Sequence, residues 1–371
     1  MLSRIKFEIK DLVNDILDQL PKTVWLSSTT TFLDPAIGGG QFVREIERRL
    51  RASGHDDANI KGRVYGFESS YLNLKYAQSP LNKYRLVGQY TRMPYEQFLQ
   101  LDNTMKFDVI VGNPPFNSAK KNKEDVDGNG GTGGNSRLYK HFRSKSLTCL
   151  KPGGILAFVS LKNIIKDLIK DNNQVDIINL MTDKDYWNGD QFNTLYFIER
   201  NLPKASEPDL QGGIAAKMFG VGEWKYNEFN RTEERKNTGN IMAVINLPKV
   251  SNGFKVEVSS VKTALPPAPR FAFTLLESSK SYTVTDLAFC GSMCGCVTLD
   301  SMSDANALKK FIENNKGLRF FFSAMNLKGY AKDLLRYTKK IDLSQIKTGE
   351  EYPVEWQLTK TEINYIEANV K

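Results

Sequence analysis

Asp108-Val109-Ile110-Val111-Gly112-Asn113-Pro114-Pro115-Phe116 is the stretch on which the fold turns. Val109 to Val111 is a short apolar run of the kind that forms a buried parallel strand, and it leads into a loop opened by Gly112 and Asn113 and stiffened by two prolines. Polar chemistry therefore stands at the carboxyl end of a strand. Pro115 restricts Pro114 to an extended backbone, which fixes the direction of the Pro114 carbonyl. The Asn113 amide and that carbonyl offer two neutral acceptors beside an aromatic ring, Phe116. Such a set suits a planar group carrying an amino function: two oxygens take its two N–H protons while the ring stacks on its face. The same residues also read as an ordinary turn between a strand and a helix, so the flanking sequence has to decide.

Upstream, Thr31 to Leu33 reads as a strand followed by Asp34-Pro35-Ala36-Ile37-Gly38-Gly39-Gly40 and a helix with Phe42, Val43, Ile46 and Leu50 on its apolar face. Three successive glycines let the backbone approach a ligand and put a helix N-terminus against it. No lysine for a phosphate accompanies them, which argues against a nucleotide-triphosphate loop. Val64 to Glu68 is a second apolar strand ending in a carboxylate, the group that the two ribose hydroxyls of a nucleoside cofactor need. A surface acid is the plainer alternative for Glu68. Leu86 to Tyr90 reads as the end of a third strand.

With these residues in hand, the chain resembles the amino-methyltransferases that act on exocyclic nitrogens, through Asn113-Pro114-Pro115-Phe116 and through Asp34-Pro35-Ala36-x-Gly38-x-Gly40. The Asn form of the first motif is similar to the DNA adenine-N6 branch, of the restriction-modification or phage type. The resemblance implies S-adenosyl-L-methionine as cofactor. It gives Asp34 the methionine amino group, with Pro35, Ala36, Gly38 and Gly40 packed beneath, and it gives Glu68 the ribose. Gln89 and Tyr90 stand where the family places an Asp and an aromatic for the cofactor adenine. Phe7 matches the aromatic of an N-terminal cofactor motif whose Thr-Pro is replaced by Glu8 and Ile9. Catalysis falls to Asn113, Pro114, Pro115 and Phe116, with Asn113 also bordering the cofactor, and to Trp187 as a second aromatic against a flipped base. Phe192 competes with Trp187 for that place.

The remainder sets limits. A chain of 371 residues with 40% hydrophobic and 25% charged residues is ordinary for a globular protein of two or three domains. No apolar run approaches the roughly 18 to 20 residues that span a bilayer, and Met1 to Lys10 lacks a signal-peptide apolar region, so the expectation is a cytoplasmic protein of a bacterium or a phage-infected host with no membrane partner. Four cysteines give no disulfide framework, and with two histidines they make a poor zinc set. The net charge of +9 is spread over both halves of the chain and is compatible with a polyanionic partner. Asn117 to Asn135 carries Lys120, Lys121 and Lys123 and then five glycines, and reads as a mobile loop, either closing over DNA or simply solvated. Asp125, Asp127, Asn129 and Gly130 imitate a calcium loop, but Ser136 stands where a bidentate Glu is required, so no metal is expected.

Strand and helix alternation over residues 25–200 implies a doubly wound, mostly parallel sheet, Rossmann-like, with ligands at the carboxyl ends of the strands. The resemblance makes residues 1–200 the catalytic domain and 201–371 a mixed α+β target-recognition region. Within that region, Ile214 to Phe219, Lys255 to Val258 and Arg270 to Leu275 read as strand-like. Ala305 to Asn314, Leu318 to Met325 and Thr359 to Ala368 read as helical. The expected function is methyl transfer from S-adenosylmethionine to N6 of adenine in double-stranded DNA by base flipping, with a cognate restriction endonuclease as a possible companion in the same system. The alternatives are a methyltransferase acting on a protein glutamine amide or RNA, and a catalytically silent DNA-binding protein of the same fold.

Overall fold

The computed structural model describes residues 12–79, 85–116, 138–181, 194–229, 241–246, 255–260, 266–274, 282–289, 294–325, 327 and 331–370. Phe7, Trp187, Phe192 and the Asn117–Asn135 loop lie outside the described residues. The chain divides into two compact units, Met1–Gly212 and Gly213–Lys371.

The first unit is built on β1 (Phe32–Asp34), β2 (Val64–Glu68), β3 (Gln89–Arg92), β4 (Phe107–Gly112), β5 (Leu150–Leu161), β6 (Asn173–Asn179), β7 (Thr194–Pro203) and β8 (Asp209–Gln211). They form one sheet in the order β3-β2-β1-β4-β5-β7-β6-β8. β3, β2, β1, β4 and β5 are parallel neighbours. β7 runs antiparallel between β5 and β6, and β8 is parallel to β6. This is the expected doubly wound, mostly parallel sheet. Its order reverses at β1, which is flanked by β2 on one side and β4 on the other, and such a reversal opens a crevice at the carboxyl ends of the two central strands.

The core follows from strand alternation. Val109, Val111, Ile155, Ala157 and Val159 share one cluster with Leu12, Ile16 and Leu17, and with Phe42, Ile46 and Leu50 of the Gln41–Ala52 helix. The intervening Ile110, Leu156 and Phe158, also buried, point to the other face. Phe98 stacks on Phe142 with ring centroids 5.3 Å apart, tying the Tyr95–Gln100 helix to the Leu138–Cys149 helix. Arg143 of that second helix makes a bidentate bond to Glu199 in β7 at 2.6 and 2.7 Å and a third to Asp171 at 2.6 Å. Burial makes this pair strongly worth keeping intact: removing one partner would strand a charge, at about 3 to 5 kcal/mol.

Two boundaries differ from the sequence reading. The sheet continues through Pro203 and adds β8, so the unit runs past residue 200 to Gly212. The third strand is Gln89–Arg92 rather than Leu86 to Tyr90. It is an edge strand with mostly exposed side chains, so no apolar run marks it, and Leu86 and Val87 lead into it as partly buried packing residues.

The second unit carries β9 (Asn227–Phe229), β10 (Ile241–Asn246), β11 (Lys255–Ser260), β12 (Arg270–Thr274), β13 (Tyr282–Thr285), β14 (Ala288–Phe289) and β15 (Cys294–Thr298). They make a four-stranded antiparallel sheet, β13-β12-β15-β9, and a three-stranded sheet, β11-β10-β14. The expected strand at Ile214 to Phe219 is instead a helix, Gly213–Met218. Ala215 and Met218, three apart, are its buried residues, a helical spacing that two alanines favour. Helices Met302–Asn314, Lys316–Ala324 and Lys360–Asn369 stand where the sequence indicated them. Trp356 is buried against Phe311, over Gly317, where a Cβ would come within 2.7 Å of the indole.

No helix among the described residues is long and apolar enough to cross a membrane. None of their His, Cys, Asp and Glu side chains form a group suited to a metal ion.

Candidate active site

Two strand ends meet at the crevice. β1 ends in Asp34, and β4 ends in Gly112 followed by Asn113. A Cβ on Gly112 would lie 2.8 Å from Asp34 Oδ1, so the glycine is what lets β4 pass beside that carboxylate. Asp34 is 1% exposed. Its Oδ1 accepts from the Ala36 amide at 3.0 Å, while its Oδ2 is buried without a hydrogen-bond partner among the described residues. Burial pushes its pKa up to about 7; the Ala36 amide works against that rise, and the negative charge of Glu68 adds to it. A buried carboxylate oxygen lacking a donor is costly unless a ligand or water supplies one.

The glycine turn is fastened to β2. Ile37 donates its amide to the Phe67 carbonyl at 2.9 Å and Gly38 donates to Glu68 Oε2 at 2.7 Å. Gly38 and Gly40 have φ of +54° and +82°, a region that glycine adopts freely and other residues rarely. Glu68 accepts the Ser70 amide on its other oxygen at 2.8 Å. The Ser69 hydroxyl lies 3.5 Å from that same oxygen, so Oε2 retains acceptor capacity for one more proton and Oε1 gains it when the weak Ser69 contact is given up. Gly66 lies under Ile37, whose side chain is 2.7 Å from where a Cβ would be.

Beyond Gly112, Asn113 and Pro115 are exposed, Pro114 is buried and Phe116 is half-buried, packed in part against the core cluster of β1, β4 and β5. The structure thus brings Asp34, Pro35, Ala36, Gly38, Gly40, Glu68, Asn113, Pro114, Pro115 and Phe116 to the carboxyl ends of three adjacent strands. It does not bring Gln89 there. Gln89 opens β3 at its amino end, and its side chain donates to the Lys61 carbonyl at 3.1 Å, ahead of β2. Tyr90 also points back from the strand ends: its hydroxyl donates to Glu47 Oε1 at 2.6 Å and its ring edge lies over Gly66. A polar edge strand has no hydrophobic signature, so the apolar Leu86 and Val87 drew the sequence reading three residues early.

Two further groups had no functional signal in the sequence. Glu47 is fully buried and accepts from the Val87 amide at 2.9 Å, the Gly88 amide at 2.8 Å and Tyr90, while Arg51 pairs with it at 3.0 Å. It clamps the approach to β3 onto the glycine-turn helix. In sequence it sits in Arg44-Glu45-Ile46-Glu47-Arg48-Arg49, where alternating charges look like a solvated face. Lys162 follows the carboxyl end of β5, is 2% exposed, and is pushed by burial down to about 8.

The acceptor set fits a nucleoside that bears an ammonium group. Asp34 Oδ2 is placed to accept from a cation, and Glu68 can accept from vicinal hydroxyls. The glycine turn is the close-approach backbone between them.

Residues 52–186 match the family described as Eco57I restriction-modification methylase. That stretch includes Glu68 and Asn113 to Phe116 and omits the glycine turn. No curated protein matches the chain in sequence. Among solved structures, a modification subunit ascribed to a type I restriction enzyme from Vibrio vulnificus YJ016 is 16% identical, with 55% of this chain covering 46% of that one at a TM-score of 0.41. The M protein of the type I restriction enzyme EcoKI is 18% identical, with coverage of 48% and 41% and a TM-score of 0.38. A protein of Listeria monocytogenes ascribed to the class I S-adenosylmethionine-dependent methyltransferases is 16% identical, with coverage of 56% and 64% and a TM-score of 0.40. This chain spans less than half the length of the first two. At such scores the architecture rests on the strand order above and not on these likenesses. The family match over residues 52–186 supports a methyltransferase of the restriction-modification kind.

Proposed function

We propose that this chain transfers a methyl group from S-adenosylmethionine to N6 of adenine in double-stranded DNA, with the adenine flipped out of the helix. The observation that carries this reading is the meeting of β1 and β4: a buried carboxylate with a vacant oxygen, Asp34, stands one glycine away from Asn113-Pro114-Pro115-Phe116. The family match covers the second of these.

The cofactor supplies a methyl group already activated on a sulfonium. Asp34 holds the methionine ammonium and Glu68 the ribose hydroxyls. Asn113 Oδ1 and the Pro114 carbonyl accept the two N–H bonds of the adenine amino group. Its lone pair, otherwise delocalised into the ring, is thereby localised and aimed. Their contribution is orientation and electrostatics. Phe116 stacks on the flipped base, at roughly 1 to 3 kcal/mol, which offsets much of the few kcal/mol that unstacking takes. Pro114 and Pro115 keep the acceptors from relaxing away. We assign the second unit to target recognition.

The acceptor class is tested by incubating the chain with tritiated S-adenosylmethionine and, separately, duplex DNA, RNA and a glutamine-bearing protein. Label entering duplex DNA supports the proposal. Label entering only RNA or protein, or none despite cofactor binding, overturns it in favour of the corresponding alternative.

A further inference from the structure

The nucleobase side of the cofactor site is built differently from what the sequence indicated. β2 and β3 are parallel with Gly66 opposite Tyr90 and Glu68 opposite Arg92. Alternation then puts Glu68 and Arg92 on the same face, on strands about 4.8 Å apart, at the carboxyl ends of both. The Met93 amide donates to the Glu68 carbonyl at 2.9 Å, which fixes this register. Arg92 is exposed, and its Nε donates to the Ser69 carbonyl at 3.4 Å, so the guanidinium lies across the end of β2. Gln89 and Tyr90, occupied with Lys61 and Glu47, are three and two residues deeper.

On the reading that Glu68 takes the cofactor ribose, which this inference deepens, a base leaving that ribose toward the sheet edge passes Arg92 first. We propose that Arg92 is the residue that meets the nucleobase of the cofactor, and that it does so as a flat donor instead of an acceptor. The distinction is chemical. An Asp or Gln carbonyl there would accept from the adenine amino group and so reject a base bearing a carbonyl at that position. A guanidinium has five donors and no acceptor, and it also stacks on ring faces. It gives the amino group no reward and does not penalise a carbonyl oxygen. The site therefore holds the base loosely as to identity.

The test measures binding by calorimetry on the full chain, with S-adenosylhomocysteine and its hypoxanthine counterpart as ligands. The wild type should bind the hypoxanthine compound at least as tightly as the adenine compound, where an acceptor-built site would favour adenine by about a hundred-fold or more. Arg92→Ala should weaken both by about five-fold through lost stacking. Arg92→Asp, which installs an acceptor, should bind the adenine compound at least ten-fold better than the hypoxanthine compound. Arg92 is exposed, so the variants should melt with the wild type, and the melting temperature checks this. Strong preference of the wild type for adenine, or unchanged dissociation constants in Arg92→Ala, overturns the assignment of Arg92 and leaves the cofactor reading standing. Failure of the wild type to bind either compound overturns the cofactor reading itself, and this inference with it.

Discussion

On the proposed function, Asp34 offers the sharpest handle on the site, because its burial would tie cofactor binding to pH. Its pKa is raised to about 7, mainly by burial and further by Glu68, so below that pH the free protein holds it neutral. A methionine ammonium needs the carboxylate, and binding must then release a proton. For a ligand that binds only the ionised form, affinity falls tenfold for each pH unit below the pKa, which makes binding about 100-fold weaker at pH 5 than at the plateau, or ~2.7 kcal/mol. Above about pH 8 the amino group of the cofactor itself loses its proton, so the optimum lies between about 7 and 8. Calorimetry at pH 6 in two buffers of different ionisation enthalpy should show nearly one proton released per cofactor bound. The same shift affects folding in the opposite sense. With the folded pKa above the unfolded value of 3.8, the native state binds the extra proton between about 4 and 7, and stability falls as pH rises through that window. Three pKa units correspond to on the order of 4 kcal/mol. Asp34→Asn should therefore melt higher than the wild type at pH 8 while binding cofactor weakly and without pH dependence. A dissociation constant that stays flat from pH 5 to 8, with no proton release at pH 6, would refute the role of Asp34.

Other expectations concern single side chains. Asn113→Ala should abolish turnover with cofactor affinity nearly unchanged, since it removes an acceptor that acts mainly in the transition state; turnover within a few fold of wild type would remove Asn113 from the mechanism. Phe116→Tyr should keep most activity, whereas Phe116→Ala should lose roughly ten- to a hundred-fold in productive binding of the flipped base. Fluorescence of 2-aminopurine at the target position reports that loss, and an alanine variant that melts early yet flips normally would make Phe116 a core residue only. Glu68→Ala frees the Gly38 and Ser70 amides as well as the ribose, so cofactor affinity should drop at least about tenfold; an unchanged dissociation constant moves the ribose elsewhere. Glu47→Gln leaves the Val87, Gly88 and Tyr90 donors with a weaker acceptor and should cost about 1 to 3 kcal/mol in stability, read as a lower melting temperature. If the melting temperature does not move, Glu47 is not the clamp.

What the sequence made legible was whatever carried both an apolar run and a chemical punctuation mark. Val64 to Glu68 is a β-branched and aromatic run ending in an acid, and it is a strand over those same residues. The run before Gly112 is a strand ending at that glycine, slightly longer than expected because Phe107 pairs with Leu150 and the Asp108 amide donates to the Thr31 carbonyl. The edge strand β3 is placed three residues early by the sequence because an edge needs little burial, and of its four residues Tyr90 alone is partly buried. Glu47 escaped because helical charges three and four apart read as a solvated face, when this one points inward at two backbone amides. Lys162 escaped because a lysine among Lys162, Lys166 and Lys170 reads as surface. The strand at Ile214 was a period error, the helical spacing of Ala215 and Met218 being short enough to pass for alternation.

The central claim is the identity of the atom that receives the methyl group. Duplex DNA treated with the chain and trideuteromethyl S-adenosylmethionine can be digested to nucleosides and resolved by mass spectrometry. The account predicts trideuterated N6-methyldeoxyadenosine as the labelled nucleoside in the wild type, and its loss in Asn113→Ala. Label found instead in N4-methyldeoxycytidine or 5-methyldeoxycytidine, or N6 methylation that persists in Asn113→Ala, would contradict it.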